Sequence, residues 1–118
     1  MTTMTSPSVD DQTYTMLQEI MADEFGELVD FFRKDTQQGV DVLKICIDAG
    51  DSEQVGSICH KMKSSSKLIG AFRLAEFARL LEEYKTDQDQ TRAQENWQSL
   101  REECADVMCW LDQQTATS

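Results

Sequence analysis

The apolar residues of this chain recur at helical spacing, and this pattern constrains the fold more than any other feature. One run has steps of four, three, four and three residues: Val55, Cys59, Met62, Ser66 and Ile69. A second run has steps of three, four and three: Leu74, Phe77, Leu81 and Tyr84. Such spacing puts side chains on one face of an α-helix. Because the chain has one proline and lacks strand-like clusters of Val, Ile and Thr, the sequence predicts an all-α fold.

Turn and capping residues divide the chain into one short helix and four longer ones. The short helix is expected to begin near Asp10, and the next to cover 23–49, where Gly39 would permit a bend. The segment "AGDSE" supplies a glycine that ends this helix and polar residues that cap the following one. Gly70 marks another turn, and the polar loop "KTDQDQ" precedes a last helix over 90–113.

These helices predict one domain. At 118 residues the chain can form one modest core but not two. Short connections favour an antiparallel four-helix bundle over 10–113, with the additional short N-terminal helix covering one end. The small and polar segments 1–9 and 114–118 are expected to be flexible. We expect a monomer, because no apolar stripe is left for a second bundle.

Charge and composition exclude several functions. The net charge of −11 argues against nucleic acid or an anionic membrane as a partner. No apolar run approaches the roughly 20 residues of a membrane span, and the amino terminus lacks the pattern of a signal peptide, so we expect a cytoplasmic protein. The four cysteines form no CxxC pair, and Cys104 and Cys109 diverge on a helix. We therefore expect buried, reduced thiols and no metal site.

The one histidine, His60, lies in the most basic part of the chain. Between His60 and Arg79 five basic residues and one acidic residue give a local charge of +4, against −15 for the remainder. On an ideal helix with the apolar stripe at 0°, His60 falls at about 140° and Lys63 and Lys67 at about 80° and 120°. The imidazole should therefore face solvent beside two ammonium groups. This face is either a solvated surface or a site that holds an anionic group on the ring.

The segment "HKMKSSSKLIGAFRL" resembles the signature of histidine-containing phosphotransfer (HPt) domains. That signature sets a histidine, an aliphatic residue, a lysine, small residues, a Gly-Ala pair and a leucine at fixed spacing. The chain fills these places with His60, Met62, Lys63, Ser65, Ser66, Ile69, Gly70, Ala71 and Leu74. Leu81 and Glu82 match a Leu-Glu pair that commonly follows on the next helix. The family usually has glycine four residues after the histidine, where this chain has Ser64.

The resemblance implies a phosphorelay carrier without ATP-dependent kinase activity of its own. His60 would accept a phosphoryl group from the aspartyl phosphate of one receiver domain and pass it to an aspartate of another. The expected partners are receiver domains of a hybrid sensor kinase and of a response regulator. No intrinsic cofactor is expected, and Mg²⁺ is expected on the partner receiver.

The resemblance also implies roles for other residues. Lys63 would stabilise the phosphoryl group, with Lys67 as a secondary contributor. Glu82 would orient the imidazole through Nδ1, unless it is a surface glutamate that pairs with Arg79 or Lys85. The predicted receiver-docking residues are the small positions and one arginine around the motif: Gly56, Ser64, Gly70 and Arg73.

Two other classes remain open from the residues alone. A helical adaptor that binds a receiver without carrying phosphate would keep the bundle and the basic patch but would not need His60. A metal-binding or redox bundle would need ligands that converge on one face, which the cysteine spacing does not provide.

Overall fold

The computed structural model describes residues 7–116, and over these residues every regular element is a helix. The helices are α1 (Asp11–Met21), α2 (Phe25–Ala49), α3 (Ser52–Ile69), α4 (Phe72–Glu82), α5 (Tyr84–Asp87) and α6 (Gln90–Ala116). A 3₁₀ turn over Ala22–Glu24 joins the first two. Helices α2, α3, α4 and α6 form the four-helix bundle, and α1 packs across one end. The predicted all-α fold is confirmed.

Local side-chain and backbone chemistry sets the helix ends. Asp10 caps α1 by accepting a hydrogen bond from the Thr13 amide at 3.0 Å, and Asp51 caps α3 in the same way. Gly50 and Gly70 end α2 and α3 with φ angles of 74° and 96°, a left-handed conformation that glycine adopts without a steric penalty. The turn signals in "AGDSE" and at Gly70 are therefore confirmed.

The predicted apolar stripes meet in one core. Its largest fully buried side chains come from all four bundle helices: Leu43, Ile47, Ile69, Leu74, Leu81, Leu100 and Leu111. Burial of each contributes about 1.5–3 kcal/mol, so the stripe on each helix fixes the rotation of that helix in the bundle. Tyr14 of α1 packs edge-on against Phe25 and Trp110, at ring distances of 5.0 and 4.8 Å. These contacts hold α1 across the end where α3 turns into α4.

The structure adds detail inside one predicted helix and differs from the prediction in one predicted loop. Helix α2 continues through Gly39, where a Cβ would lie 3.0 Å from Met62 Cε, so this glycine allows close packing against α3. The segment "KTDQDQ" is not wholly a loop, because α5 covers its first three residues. The buried ring of Tyr84 anchors that helical turn, and Gln88 ends it with a φ of 57°.

The chain ends also depart from the prediction. Val9 is fully buried, and the Asp10 amide donates to the Gly70 carbonyl at 2.8 Å, so the expectation of a flexible segment is wrong at Val9. Helix α6 extends to Ala116 rather than ending near 113. The predicted flexibility of 1–6 and 117–118 concerns positions outside the described residues. Within the described part of the chain, every helix is too short or too polar to cross a membrane.

Candidate functional site

His60 lies on the outer face of α3, between residues that anchor the helix in the core. Its neighbours Cys59 and Met62 are buried, whereas 68% of the His60 side chain is exposed. The packing of the apolar stripe therefore turns the imidazole toward solvent. This placement agrees with the position predicted from the helical spacing.

A carboxylate from α4 faces this ring. Glu82 Oε2 lies 3.6 Å from His60 Nδ1, and Glu82 Oε1 accepts a hydrogen bond from Lys63 Nζ at 2.9 Å. The first distance is longer than a hydrogen bond, so the carboxylate faces the ring nitrogen without a direct hydrogen bond to it. Lys63 and Glu82 are both largely buried, with 22% and 27% of their side chains exposed. Glu82 thus joins the histidine and the nearest lysine of the motif, and Nε2 is the ring nitrogen that does not face it.

The alternative partners of Glu82 are engaged elsewhere. Arg79 binds Glu76 at 2.6 Å and Glu83 at 3.3 Å. Nζ of Lys85 lies 3.9 Å from Oε1 of Glu53. The alternative in which Glu82 is a surface glutamate paired with Arg79 or Lys85 is therefore wrong.

Lys67 is exposed and lies two turns beyond His60 on α3. Its charge acts on Glu76, whose pKa is lowered mainly by the hydrogen bonds from Arg79 and to a smaller extent by Lys67. Lys67 therefore lies near Glu76, whereas the ion pairs of Glu82 within the described residues are with His60 and Lys63.

Gly56, one of the predicted receiver-docking residues, does not lie on the exposed surface. It is buried, and a Cβ built on it would lie 2.9 Å from Cδ of Lys85. Lys85 belongs to α5, which packs on the amino-terminal half of α3. A helical wheel shows the residues of α3 alone and so leaves out the Lys85 side chain that covers Gly56. The prediction that a receiver contacts Gly56 directly is therefore corrected.

Gly70 and Arg73 also lie away from the histidine. Gly70 is buried against α1, and it follows His60 by ten residues, about 15 Å along the helix. Arg73 Nε donates to Oε1 of the buried Glu103 at 3.0 Å. Burial raises the pKa of Glu103, and the hydrogen bond from Arg73 opposes that rise. Both residues lie at the α3–α4 turn, and their assignment to receiver docking stays a prediction, whereas Ser64 is exposed one turn after His60.

An apolar surface lies between α2 and α3, the helix that carries the histidine, and its residues are not among the docking residues predicted from the sequence. A cavity of about 220 Å³ is lined in part by Gly39, Val42, Ile58, Lys61 and Met62. A second cavity, toward the carboxyl end of α3, is lined in part by Phe31 and Leu68, which are 66% and 53% exposed. One feature of the sequence could have indicated this surface: apolar residues that lie outside the core stripes, at Phe31, Ile58 and Leu68.

The cysteines provide no reactive or metal-binding cluster among the described residues. Cys46, Cys59 and Cys104 are buried, and burial raises the pKa of Cys59 to about 12 and that of Cys104 to about 11. Cys109 is exposed, so the prediction of burial is wrong there, because it lies between the stripe positions of α6. Within 7–116 no three His, Cys, Asp or Glu side chains lie together in a way that could hold a metal ion.

Comparison with known proteins identifies the class. The family model described as Hpt domain matches residues 27–109. The crystal structure of histidine-containing phosphotransfer protein B from Pseudomonas aeruginosa is similar at 29% identity and a TM-score of 0.89, covering 97% of this chain and 99% of that one. The maize histidine-containing phosphotransfer protein ZmHP2 has the same fold at 20% identity and a TM-score of 0.83, covering 94% and 91%. No curated protein shows significant similarity to the chain.

The family match covers well over half of the chain. The chain therefore belongs to the Hpt domain family. Its function is histidine phosphotransfer in a two-component phosphorelay, in which it acts as a phosphocarrier that interacts with receiver domains.

Proposed function

We propose that His60 is the residue that carries the phosphoryl group, and that it carries it on Nε2. The observation that supports this most is the exposed ring whose Nδ1 faces Glu82 Oε2 at 3.6 Å. A carboxylate that faces Nδ1 orients the ring and compensates the positive charge that the ring gains when Nε2 is phosphorylated. The other nitrogen is then left to react at the surface, where a receiver domain can reach it.

The proposed step exchanges one bond to phosphorus for another. The lone pair of Nε2 attacks the phosphorus of a receiver aspartyl phosphate, the P–O bond to that aspartate breaks, and an N–P bond forms. The ring then carries a positive charge, with its proton on Nδ1 toward Glu82. The step reverses when an aspartate of a second receiver attacks the phosphorus and Nε2 leaves.

Lys63 is the proposed stabiliser of the phosphoryl group. Its ammonium is 2.9 Å from Glu82 Oε1, so it lies within the same cluster as the reacting ring. Lysine suits this role because its ammonium is a compact charge with three donors. Lys67, two turns from His60, is proposed as a weaker electrostatic contributor.

The α2–α3 surface is the proposed docking site for receiver domains. It offers exposed apolar side chains on α3, the helix that carries the ring, and on its neighbour α2, whereas the rest of the molecule is strongly acidic. We propose receivers of a hybrid sensor kinase and of a response regulator as partners, and Mg²⁺ bound by the receiver rather than by this chain. The carrier is proposed to act as a cytoplasmic monomer and to lack ATP-dependent kinase activity.

Label transfer tests the proposed function directly. A receiver carrying a labelled aspartyl phosphate is mixed with the wild-type protein, with His60→Gln and with the control Cys109→Ser. We expect acid-labile, base-stable label on the wild type and the control, and none on His60→Gln. Label on His60→Gln would overturn the assignment. Equal receiver binding without label on any of the proteins would instead indicate an adaptor.

A further inference from the structure

Lys85 is a basic residue near the histidine that the family motif does not include. It lies at the start of α5, and its stem packs across Gly56 of α3. A Cβ on Gly56 would lie 2.9, 3.3 and 3.5 Å from Cδ, Cβ and Cγ of Lys85. The absence of a side chain at position 56 therefore lets the lysine stem lie flat on the helix, one turn before His60.

The direction in which helical side chains lean is expected to bring the His60 imidazole toward Lys85. Side chains on an α-helix lean toward the amino terminus, so we expect the ring of His60 to extend toward the turn that contains Gly56. Lys67 begins about 10 Å farther along the helix, in the opposite direction, and leans back only as far as the turn of Lys63. Lys85 thus packs on α3 one turn before His60, on the side toward which the imidazole is expected to lean.

The two nearby lysines differ in how firmly they are held. Lys63 donates to the partly buried Glu82 at 2.9 Å. The ammonium of Lys85 is 3.9 Å from Glu53 Oε1, and the two side chains are 52% and 80% exposed. An ion pair this long and this exposed contributes little to stability. The Lys85 ammonium can therefore leave the Glu53 carboxylate and bind a more highly charged anion instead.

The junction between α4 and α5 therefore supplies two opposite charges to α3. Glu82 faces Nδ1 of His60 and binds Lys63, while Lys85, three residues later, lies over Gly56. A phosphoryl group on Nε2 would carry more negative charge than the Glu53 carboxylate. We infer that Lys85 is a third phosphoryl-binding cation, whose ammonium moves from Glu53 to the phosphoryl oxygens when His60 is phosphorylated. This inference rests on the proposed function of His60.

Substitutions that separate the stem from the charge test this role. Lys85→Met keeps the stem over Gly56 and removes the ammonium, whereas Lys85→Arg keeps a positive charge. The measurement is the equilibrium of label between a phosphorylated receiver and the carrier, at low and high salt. We expect Lys85→Met to shift label toward the receiver about three- to tenfold, with most of the shift reversed by Lys85→Arg and reduced by salt.

Two comparison variants separate a local contact from general electrostatics. Arg101→Met removes one positive charge from α6, where Arg101 stacks on Trp97 at 5.4 Å, and should leave the equilibrium unchanged. Lys67→Met should shift it less than Lys85→Met does. An equal or larger shift from either variant would overturn the role of Lys85, as would a Lys85→Met protein with the wild-type equilibrium.

Gly56→Ala tests the geometric part of the inference. Its new Cβ would contact the Lys85 stem and displace it, so label should shift toward the receiver when Lys85 is present. The same substitution in a Lys85→Met background should add little, and additive losses would contradict the coupling.

Circular dichroism verifies that each variant is folded. Absence of label from the wild type would overturn the function of His60 and this inference together, whereas normal wild-type label with an unchanged Lys85→Met overturns this inference alone.

Discussion

The two halves of the HPt motif play different physical parts in this molecule. The histidine segment, 60–66, presents His60 and Lys63 on the outside of α3, where Glu82 joins them. The turn segment, 70–74, is largely buried: Gly70 ends α3 against α1, and Leu74 lies in the core. A motif that is continuous in sequence therefore contains one part that provides the chemistry and another part that holds its helix in place.

This difference shows how the site is positioned. The rotation of α3, and so the exposure of His60, depends on the core stripe and on the turn that follows it. The chemistry depends on charges that reach α3 from α4 and α5. Variants of the turn segment should therefore change stability and leave phosphotransfer intact, and variants of the histidine segment should do the opposite.

The largest expected effect is on the stability of the turn segment. Gly70 has a φ of 96°, and a Cβ there would lie 3.0 Å from the Asp10 carbonyl oxygen and 3.1 Å from Thr13 Cβ. Gly70→Ala should lower the free energy of unfolding by about 3 kcal/mol, the sum of left-handed strain and overpacking. Urea denaturation measures the loss.

Gly50→Ala is the matched control for Gly70→Ala. Gly50 has a φ of 74° but nothing within 4 Å of its ideal Cβ position, so only about 1 kcal/mol should be lost. Equal losses at the two glycines would contradict the packing argument. A stable Gly70→Ala protein that fails to bind a receiver would show that Gly70 is part of the docking surface.

Arg73 should have the next largest effect, and it should depend on pH. Arg73→Ala leaves the buried Glu103 without its 3.0 Å donor and should lower the free energy of unfolding near neutral pH by about 2 kcal/mol. Burial raises the folded-state pKa of Glu103 above its ordinary value of 4.5, so its contribution to stability is full below that value and is lost as pH rises through the raised pKa.

The variant Arg73→Ala should strengthen this pH dependence, because Arg73 opposes the rise in the pKa of Glu103. Denaturation from pH 4 to 8 should show a loss that grows with pH. Adding Glu103→Gln should remove the pH-dependent part. A loss of stability that is the same at every pH, with or without Glu103→Gln, would show that the charge of Glu103 is not involved.

Lys63 should show the reverse behaviour, with an effect on phosphotransfer. Lys63→Gln removes an ammonium from the cluster around His60 and should slow phosphoryl transfer from a receiver about tenfold, the loss expected for one charge-assisted contact. Rapid mixing followed by gel separation measures the rate. Lys63→Arg should retain part of it. Transfer at the wild-type rate by Lys63→Gln would break the division between the two segments.

Ser64 should have the smallest effect. Its hydroxymethyl group is exposed one turn after His60, at a position where the family usually has glycine. Ser64→Gly should increase receiver affinity by less than about threefold, and it should lower stability by less than about 1 kcal/mol because glycine weakens a helix interior. Calorimetric titration with a receiver measures the affinity. Slower transfer in this variant would show that the hydroxyl contributes to phosphoryl binding.

Sequence reasoning was most successful where one helix decides the outcome. Periodicity predicted the bundle, and glycine and capping residues predicted the ends of α2 and α3. The exposure of His60 followed from the same periodicity, because the stripe on the opposite side of α3 has to be buried.

The failures concern contacts between distant parts of the chain. Lys85 covers Gly56 from 29 positions away in the sequence, and Asp10 meets Gly70 across an even larger separation. A helical wheel contains neither partner, so periodicity alone predicts neither the burial of Gly56 nor that of Gly70. The contact of Glu82 with Lys63 was likewise beyond the reach of periodicity. Glu82 was singled out only because the family resemblance marks that position.

The central claim is that phosphate is carried on Nε2 of His60, and the most direct test locates that bond. The protein is labelled with ¹⁵N-histidine, phosphorylated by a receiver, and examined by ³¹P and ¹⁵N NMR for coupling between phosphorus and a ring nitrogen. Because His60 is the one histidine in the chain, the ring assignment is unambiguous. The account predicts coupling to Nε2. Coupling to Nδ1, or a stable phosphate on a residue other than His60, would contradict it.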